Sequence, residues 1–412
     1  MSFYHPYGTF SFEIERGHTM HDRTLCVKRP EVSHEGFASL ATPTYRASTI
    51  VFDSAEAYAN RSKRGPDGYT YGLHGTPTSR TLEASITALE QGLRTVLVPS
   101  GQAAITVVFL SVLMPGDTVL IPDSAYPPVA GFCENYLKPR GISYRIYDPM
   151  IGSGIANLID ETVKLIWTES PGSTTMEIQD IPAIVAAAKS HGVLTGCDNT
   201  WATPLYFKPL AYAMDFSTMA LTKYVGGHSD LLMGSIAVKD IALHKQLKDT
   251  MRMIGMGVSP DDCALALRGM ETMGVRLAHS GRVALDFARK IAHRVAPELV
   301  LHPALPGAAG HAFFQRDFTG ASGVFSLVIP PHAEAALPDL LTAAQTFAIG
   351  ASWGGTHSLL APMTITRATG ADAHSGTILR INIGLEDEND LWADLEPIVA
   401  AIATTPAVAK TA

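Results

Sequence analysis

The chain has 412 residues, 46% of them hydrophobic and 17% charged, with a formal net charge of −8. That length exceeds one small core and suits a large α/β domain with a smaller companion. The negative balance offers nucleic acid and anionic membranes no electrostatic handle, and no apolar run is long enough to span a bilayer.

Residues 1–60 lack strong periodicity and read as an extended arm with one short helix. The segment 61–78, rich in Gly, Pro and Arg, reads as loop. From about residue 80 to 240 two patterns alternate. Strands are expected at 95–99, 118–121, 143–147, 164–168, 193–196, 216–221 and 232–238, and helices at 103–113, 128–138 and 181–190. Such alternation predicts βαβ units and a mainly parallel sheet. A long helical pattern at 277–295, basic toward its end, leads to strands at 323–329 and 377–384 and helices at 334–346 and 387–403. The Ala-rich tail after residue 403 reads as frayed. Domains are therefore expected over 1–65 (arm), 66–270 (main domain) and 271–412 (linker helix and C-terminal domain).

Two of the expected strands end on chemistry. Asp198 follows the run 193–197 and Lys223 follows 217–222. A carboxylate and an amine at neighbouring strand ends suit pyridoxal 5'-phosphate (PLP): the amine condenses with the aldehyde, and the carboxylate keeps the pyridine nitrogen protonated. Pro99-Ser100-Gly101-Gln102-Ala103-Ala104 joins a strand to a helix, where free N–H groups reached past a glycine bind phosphate. Thr222 can add a hydroxyl to the same phosphate. Tyr126 follows another strand end, where a ring can stack on the pyridine. Arg380 lies inside an apolar strand pattern and calls for a bidentate anion, such as an amino-acid carboxylate.

Each residue alone has a plainer reading: a loop-capping aspartate, a solvated lysine, a core tyrosine, a strand-edge ion pair. Their joint order on strand ends carries the inference. The histidines do not form a metal site, because His5, His18, His21 and His34 are scattered without paired spacing. His228 and Asp230 read as braces for the lysine loop. Cys26, Cys133, Cys197 and Cys263 lie far apart, as reduced thiols in a cytoplasm would. Met1 to Arg16 lacks the basic start and apolar stretch of a secretory leader. A cytoplasmic protein is expected.

These residues resemble the Cys/Met-metabolism family of fold-type-I PLP enzymes, and within it the bacterial cystathionine β-lyases. The resemblance covers about residues 18–400. It rests on Tyr71-Gly72-x-x-Gly75-Thr76, Ala125-Tyr126, Glu169-Ser170-Pro171-Gly172-Ser173, Asp198-Asn199-Thr200-Trp201 and Thr222-Lys223-Tyr224. Later matches are His302-Pro303-Ala304-Leu305-Pro306-Gly307, Arg316-Asp317-Phe318-Thr319-Gly320, Ser352-Trp353-Gly354-Gly355 and Leu379-Arg380.

The resemblance implies a fold-type-I, mostly parallel seven-stranded sheet flanked by helices, with a smaller α+β C-terminal domain. It also implies a homotetramer of two catalytic dimers, with Tyr71 reaching the phosphate of the neighbouring subunit. Gly101, Gln102 and Thr222 would hold the phosphate, Tyr126 would stack on the ring, and Asp198 would pair with the pyridine nitrogen. Arg380 and Ser352, with Trp353 and Tyr71 beside them, would hold the substrate. Lys223 would act as the base, and Lys223 or Tyr126 would protonate the leaving sulfur.

The implied reaction is β-elimination of a sulfur group from an amino acid, giving pyruvate, ammonia and a thiol. The alternative is γ-elimination from methionine, a homoserine derivative or canavanine. A DNA- or protein-binding role without lyase activity finds no basic face to support it.

Some positions depart from the family pattern. Leu73 stands where the family carries a phosphate-binding arginine, which implies weaker cofactor retention. His74, Gly131 and Ala351 replace an arginine, an acidic residue and a tyrosine that would meet the distal end of cystathionine. Another distal group is therefore expected. His357 stands where glutamate is common.

Overall fold

The computed structural model describes residues 36, 38–65, 68–369 and 376–403. His5, His18, His21, His34, Cys26 and the tail beyond residue 403 lie outside the described residues. The chain divides into a unit Met1–Ala41 and a unit Thr42–Ala412, and the elements below belong to the second.

Seven strands form the first sheet: β1 (Arg94–Val98), β2 (Thr118–Pro122), β3 (Ser143–Tyr147), β4 (Val163–Glu169), β5 (Leu194–Asp198), β6 (Phe216–Ala220) and β7 (Gly234–Val238). Their order across the sheet is β1-β7-β6-β5-β4-β2-β3. β7 runs antiparallel to β1 and β6, and the remaining pairs are parallel. The mainly parallel sheet expected from the alternation is what forms. β2 and β7 are buried along their whole length, as strands covered on both faces must be.

The covering helices are α1 (Pro77–Glu90), α2 (Gly101–Val112), α3 (Ile181–Ser190), α4 (Ile241–Met253) and α5 (Pro260–Ala292). α2 buries Val107, Val108 and Phe109 in one core with Val96, Trp167 and Ile236. α1 and the first half of α5 close another core, in which Leu82 and Ile86 meet Met219, Tyr224 and Leu277. The segment expected as one helix at 128–138 is a helix Pro127–Phe132, a π turn Cys133–Leu137 and a 3₁₀ turn Lys138–Arg140.

The second sheet joins β8 (Val300–Leu301), β9 (Val324–Val328), β10 (Ala348–Ile349), β11 (Leu359–Ile365) and β12 (Gly376–Asn382) in the order β10-β11-β12-β9-β8. α6 (Glu388–Ala403) covers it through Leu391, Leu395 and Ile398, together with Val283, Phe287 and Ile291 from the second half of α5. α5 thus belongs to two cores. It starts at Pro260 rather than at 277, with Ser259 as its N-cap and acidic Asp261 and Asp262 in its first turn, features that stabilise a helix start. No helix among the described residues is long and apolar enough to cross a membrane.

Candidate active site

Five strands deliver the expected residues, and Glu169 with them, to one place. β1 leads into Ser100-Gly101-Gln102, β2 into Tyr126, β4 and β5 end on Glu169 and Asp198, and β6 leads into Thr222 and Lys223. All of them line a cavity of about 230 Å³, together with Ala351, Trp353 and Arg380 from the second sheet and the loop before its strand β11. A crevice at the carboxyl ends of parallel strands is the usual ligand position in open α/β sheets.

Ser100 Oγ accepts from Ala103 N at 3.0 Å and starts α2. The N–H groups of Gly101 and Gln102 precede that bond and have no intrahelical acceptor, so they remain available to an anion. Gly101 is needed for close approach, because a Cβ there would come within 2.5 Å of Ala220 Cβ. Gln102 donates through Nε2 to Pro128 O at 3.3 Å, and its Oε1 is buried without a partner among the described residues. The Thr222 hydroxyl is engaged with the backbone of Met233, donating to its carbonyl at 3.2 Å and accepting from its N–H at 3.0 Å.

Asp198 Oδ1 accepts from both Thr200 N (2.9 Å) and Thr200 Oγ1 (2.5 Å). Its Oδ2 accepts from no described residue. Burial raises this carboxyl above its ordinary range, against the Thr200 bonds and the charge of Lys223. A cation placed at Oδ2 would relieve that cost.

Lys223 Nζ donates to Ser352 Oγ at 2.7 Å and lies 5.3 Å from the Trp353 ring centroid. Burial, with the positive charge of Arg380 adding to it and Asp198 opposing, pulls the amine down to about 8. Arg380 is only 7% exposed. It donates through Nη2 to the carbonyls of Ala351 and Ser352, and no described carboxylate pairs with it. A buried guanidinium held by carbonyls alone keeps donors for a bidentate anion.

Tyr126 is 42% exposed, and its N–H donates to Glu169 Oε2 at 2.6 Å. Glu169 was quoted within a motif but not expected as a site residue. Its place became visible only when register set it beside Asp198 on the neighbouring strand. Tyr71 does not line the cavity of its own chain; it is 48% exposed and accepts from Ser48 Oγ at 3.4 Å. Leu73 lies against Gly257. His74 is held below its ordinary range by burial and by Arg252, Lys248 and Arg80. Gly131 faces open space, and His357 contacts Thr356 Oγ1 at 3.2 Å. Among the described residues no His, Cys, Asp or Glu cluster could hold a metal.

The donor set fits a phosphorylated pyridine aldehyde. A helix start could take the phosphate, the buried Asp198 carboxylate could take a ring N–H, and the Lys223 amine feels both that carboxylate and the Arg380 guanidinium.

The comparisons agree with that chemistry. A model of the Cys/Met metabolism PLP-dependent enzymes matches residues 23–399. A putative cystathionine β-lyase of Rhizobium johnstonii is 44% identical over 365 residues, covering 87% of this chain and 91% of that one. The cystathionine β-lyase of Escherichia coli is 39% identical over 366 residues, covering 87% and 92%. A crystal structure of cystathionine γ-synthase from Xanthomonas oryzae, in complex with aminoacrylate and cysteine, superposes with a TM-score of 0.81 at 29% identity, covering 89% and 95%.

Proposed function

The chain belongs to the Cys/Met metabolism family of PLP-dependent enzymes, and from that premise we propose that it is a carbon–sulfur lyase acting by β-elimination on a cysteine thioether. PLP, when bound, supplies an electron sink that lowers the cost of removing the substrate's α-proton. The residues do the rest. Gly101 and Gln102 would hold its phosphate through their N–H groups, with Thr222 beside them. Asp198 would hold its pyridine nitrogen, and Tyr126 would stack on its ring. Arg380, steadied by the Ala351 and Ser352 carbonyls, takes the substrate carboxylate. That contact sets the α-carbon within reach of Lys223, whose lowered basicity enlarges the neutral fraction that can accept the α-proton. The C–S bond then breaks at Cβ, and Lys223 or Tyr126 returns a proton to the departing sulfur. Water completes the balance: thioether plus water gives thiol, pyruvate and ammonia.

The observation that carries this reading is Arg380, a buried cation beside Lys223 that no carboxylate among the described residues pairs with. The relatives named as β-lyases favour β- over γ-elimination. Among the described residues, the acidic and basic side chains lining the cavity are Glu169, Asp198, Lys223 and Arg380. Asp198 is committed to the pyridine nitrogen, Lys223 to the α-proton, Arg380 to the α-carboxylate and Glu169 to the Tyr126 N–H, so an uncharged distal group is preferred to the zwitterion of cystathionine. Tyr71, which does not line the cavity of its own chain, serves a neighbouring copy in a cytoplasmic homotetramer, with 66–270 as the cofactor domain and 271–412 as the smaller one. Purified protein supplied with S-alkylcysteines, cystathionine and methionine should release pyruvate, fastest from an S-alkylcysteine. Release of 2-oxobutyrate in its place would overturn the proposal.

A further inference from the structure

Glu169 closes β4 and lines the cavity, and it makes no ion pair among the described residues. Its one side-chain hydrogen bond reaches 43 residues back in the chain, to the backbone N–H of Tyr126. Register sets Glu169 directly beside Asp198. Two neighbouring carboxyl groups in a poorly solvated wall do not both ionise. Asp198 has two Thr200 donors and the Lys223 charge in its favour. Glu169 has a single N–H, and burial together with Asp198 pushes its carboxyl well above the usual range. Of the two, Glu169 is the carboxyl with less to offset its burial.

The Tyr126 ring has few other restraints. The phenol makes no hydrogen bond to a described residue, and the side chain is 42% exposed. Its backbone is fixed at φ −48, ψ 123, between Ala125 and Pro127, and its carbonyl accepts from Val129 N at 2.8 Å. A residue before proline is confined to extended conformations. Ser173 N holds Ser124 O at 2.8 Å and Gln102 Nε2 holds Pro128 O at 3.3 Å on either side, and the Glu169 bond ties Tyr126 itself to the end of β4.

We propose that Glu169 is a positioning residue: its carboxyl grips the Tyr126 N–H and so sets where the Tyr126 ring lies over the cavity. The role rests on the cofactor reading above. It requires an acceptor at this point rather than a charge. An amide carbonyl would therefore serve, whereas an isosteric thioether or a shorter acid would not.

The test compares Glu169→Met, Glu169→Gln and Glu169→Asp as full-length, cofactor-loaded proteins, with thermal unfolding as the folding check. Visible circular dichroism of the bound cofactor reports how the ring is stacked, and kcat and KM are measured separately. Glu169→Met should weaken the visible dichroism by about half and lower kcat/KM about tenfold, mostly in kcat, as small misplacements at reacting centres do. Borohydride should still fix the cofactor to Lys223 in this variant. Glu169→Gln should recover most of both losses. If Glu169→Met does not accumulate as folded protein, Glu169→Asp carries the same expectation. Wild-type dichroism and kcat/KM in Glu169→Met or Glu169→Asp would overturn the proposal, as would a Glu169→Gln protein impaired as badly as they are. Failure of the cofactor reading would be seen separately, as a wild-type protein that takes up no PLP.

Discussion

Lys223 Nζ donates to Ser352 Oγ at 2.7 Å, joining the loop after β6 of the large sheet to the loop before β11 of the small one. The amine that performs the proposed chemistry is therefore aimed by the opposite sheet. Replacing Ser352 with Ala removes that acceptor but leaves the lysine in place. We expect the Ser352→Ala protein to retain cofactor and to lose roughly ten- to a hundredfold in kcat, within the range for disturbed general-base catalysis. Steady-state kinetics on a cofactor-saturated sample would check this, and an unchanged kcat would refute it.

Arg380 should separate substrate binding from cofactor binding. Arg380→Lys keeps a positive charge but loses the planar fork. The KM for the amino acid should rise at least about tenfold, in keeping with the strength of a charge-assisted bidentate pair. The PLP dissociation constant should stay close to that of the wild type. Equal KM values would show that the guanidinium does not hold the carboxylate.

The acidity of Lys223 gives a pH signature. Its amine sits at about 8, below the ordinary lysine value, so the neutral form grows as pH rises through that point. Covalent loading of stripped protein with PLP requires the neutral amine. The loading rate should climb between pH 7 and 8 and level off above about 9. Stopped-flow absorbance would record it, and a rate still rising steeply toward pH 10 would contradict the lowered value.

Much of this site was legible in the sequence because strand ends carry side chains of unusual type. Asp198, Lys223 and Arg380 stand out against apolar runs, and the fold gathers them. What escaped notice had physical causes. α1 was hidden by the Gly- and Pro-rich stretch before it, although Pro77 is its first residue and Thr76 and Ser79 form its capping box. The first half of α5 contains Gly269, a poor helix residue. It is glycine because a Cβ would overlap the backbone carbonyls of Val225 and Gly226, just beyond Lys223. β11 contains Pro362, which argues against a strand. β10 pairs only with Leu359 and Leu360, so Pro362 lies where β11 has become an edge. Glu169 was missed because its meaning depends on register, which periodicity does not give.

His302 supplies a stability test independent of catalysis. It is fully buried, and burial pulls its imidazole down to about 3. An unfolded histidine titrates near 6.5. Between those values the unfolded chain binds the proton and the folded one does not. Stability is therefore lost as pH falls from about 6.5 toward 3, by up to ~1.4 kcal/mol per pH unit for this group. Nδ1 of His302 accepts from Ala304 N at 3.1 Å, a bond that an asparagine oxygen can replace. His302→Asn should lower stability at pH 7 yet flatten its decline from pH 6 to 5, measured by urea unfolding. An undiminished slope would show that His302 is not the proton acceptor.

The central claim is that Lys223 carries the cofactor, and borohydride reduction followed by peptide mass spectrometry tests it most directly. Wild-type protein incubated with PLP and reduced should carry a pyridoxyl-phosphate adduct on the peptide containing Lys223. The Lys223→Ala protein should carry none and should release no pyruvate. An adduct on another lysine in the wild type, or pyruvate release that survives in Lys223→Ala, would contradict the account.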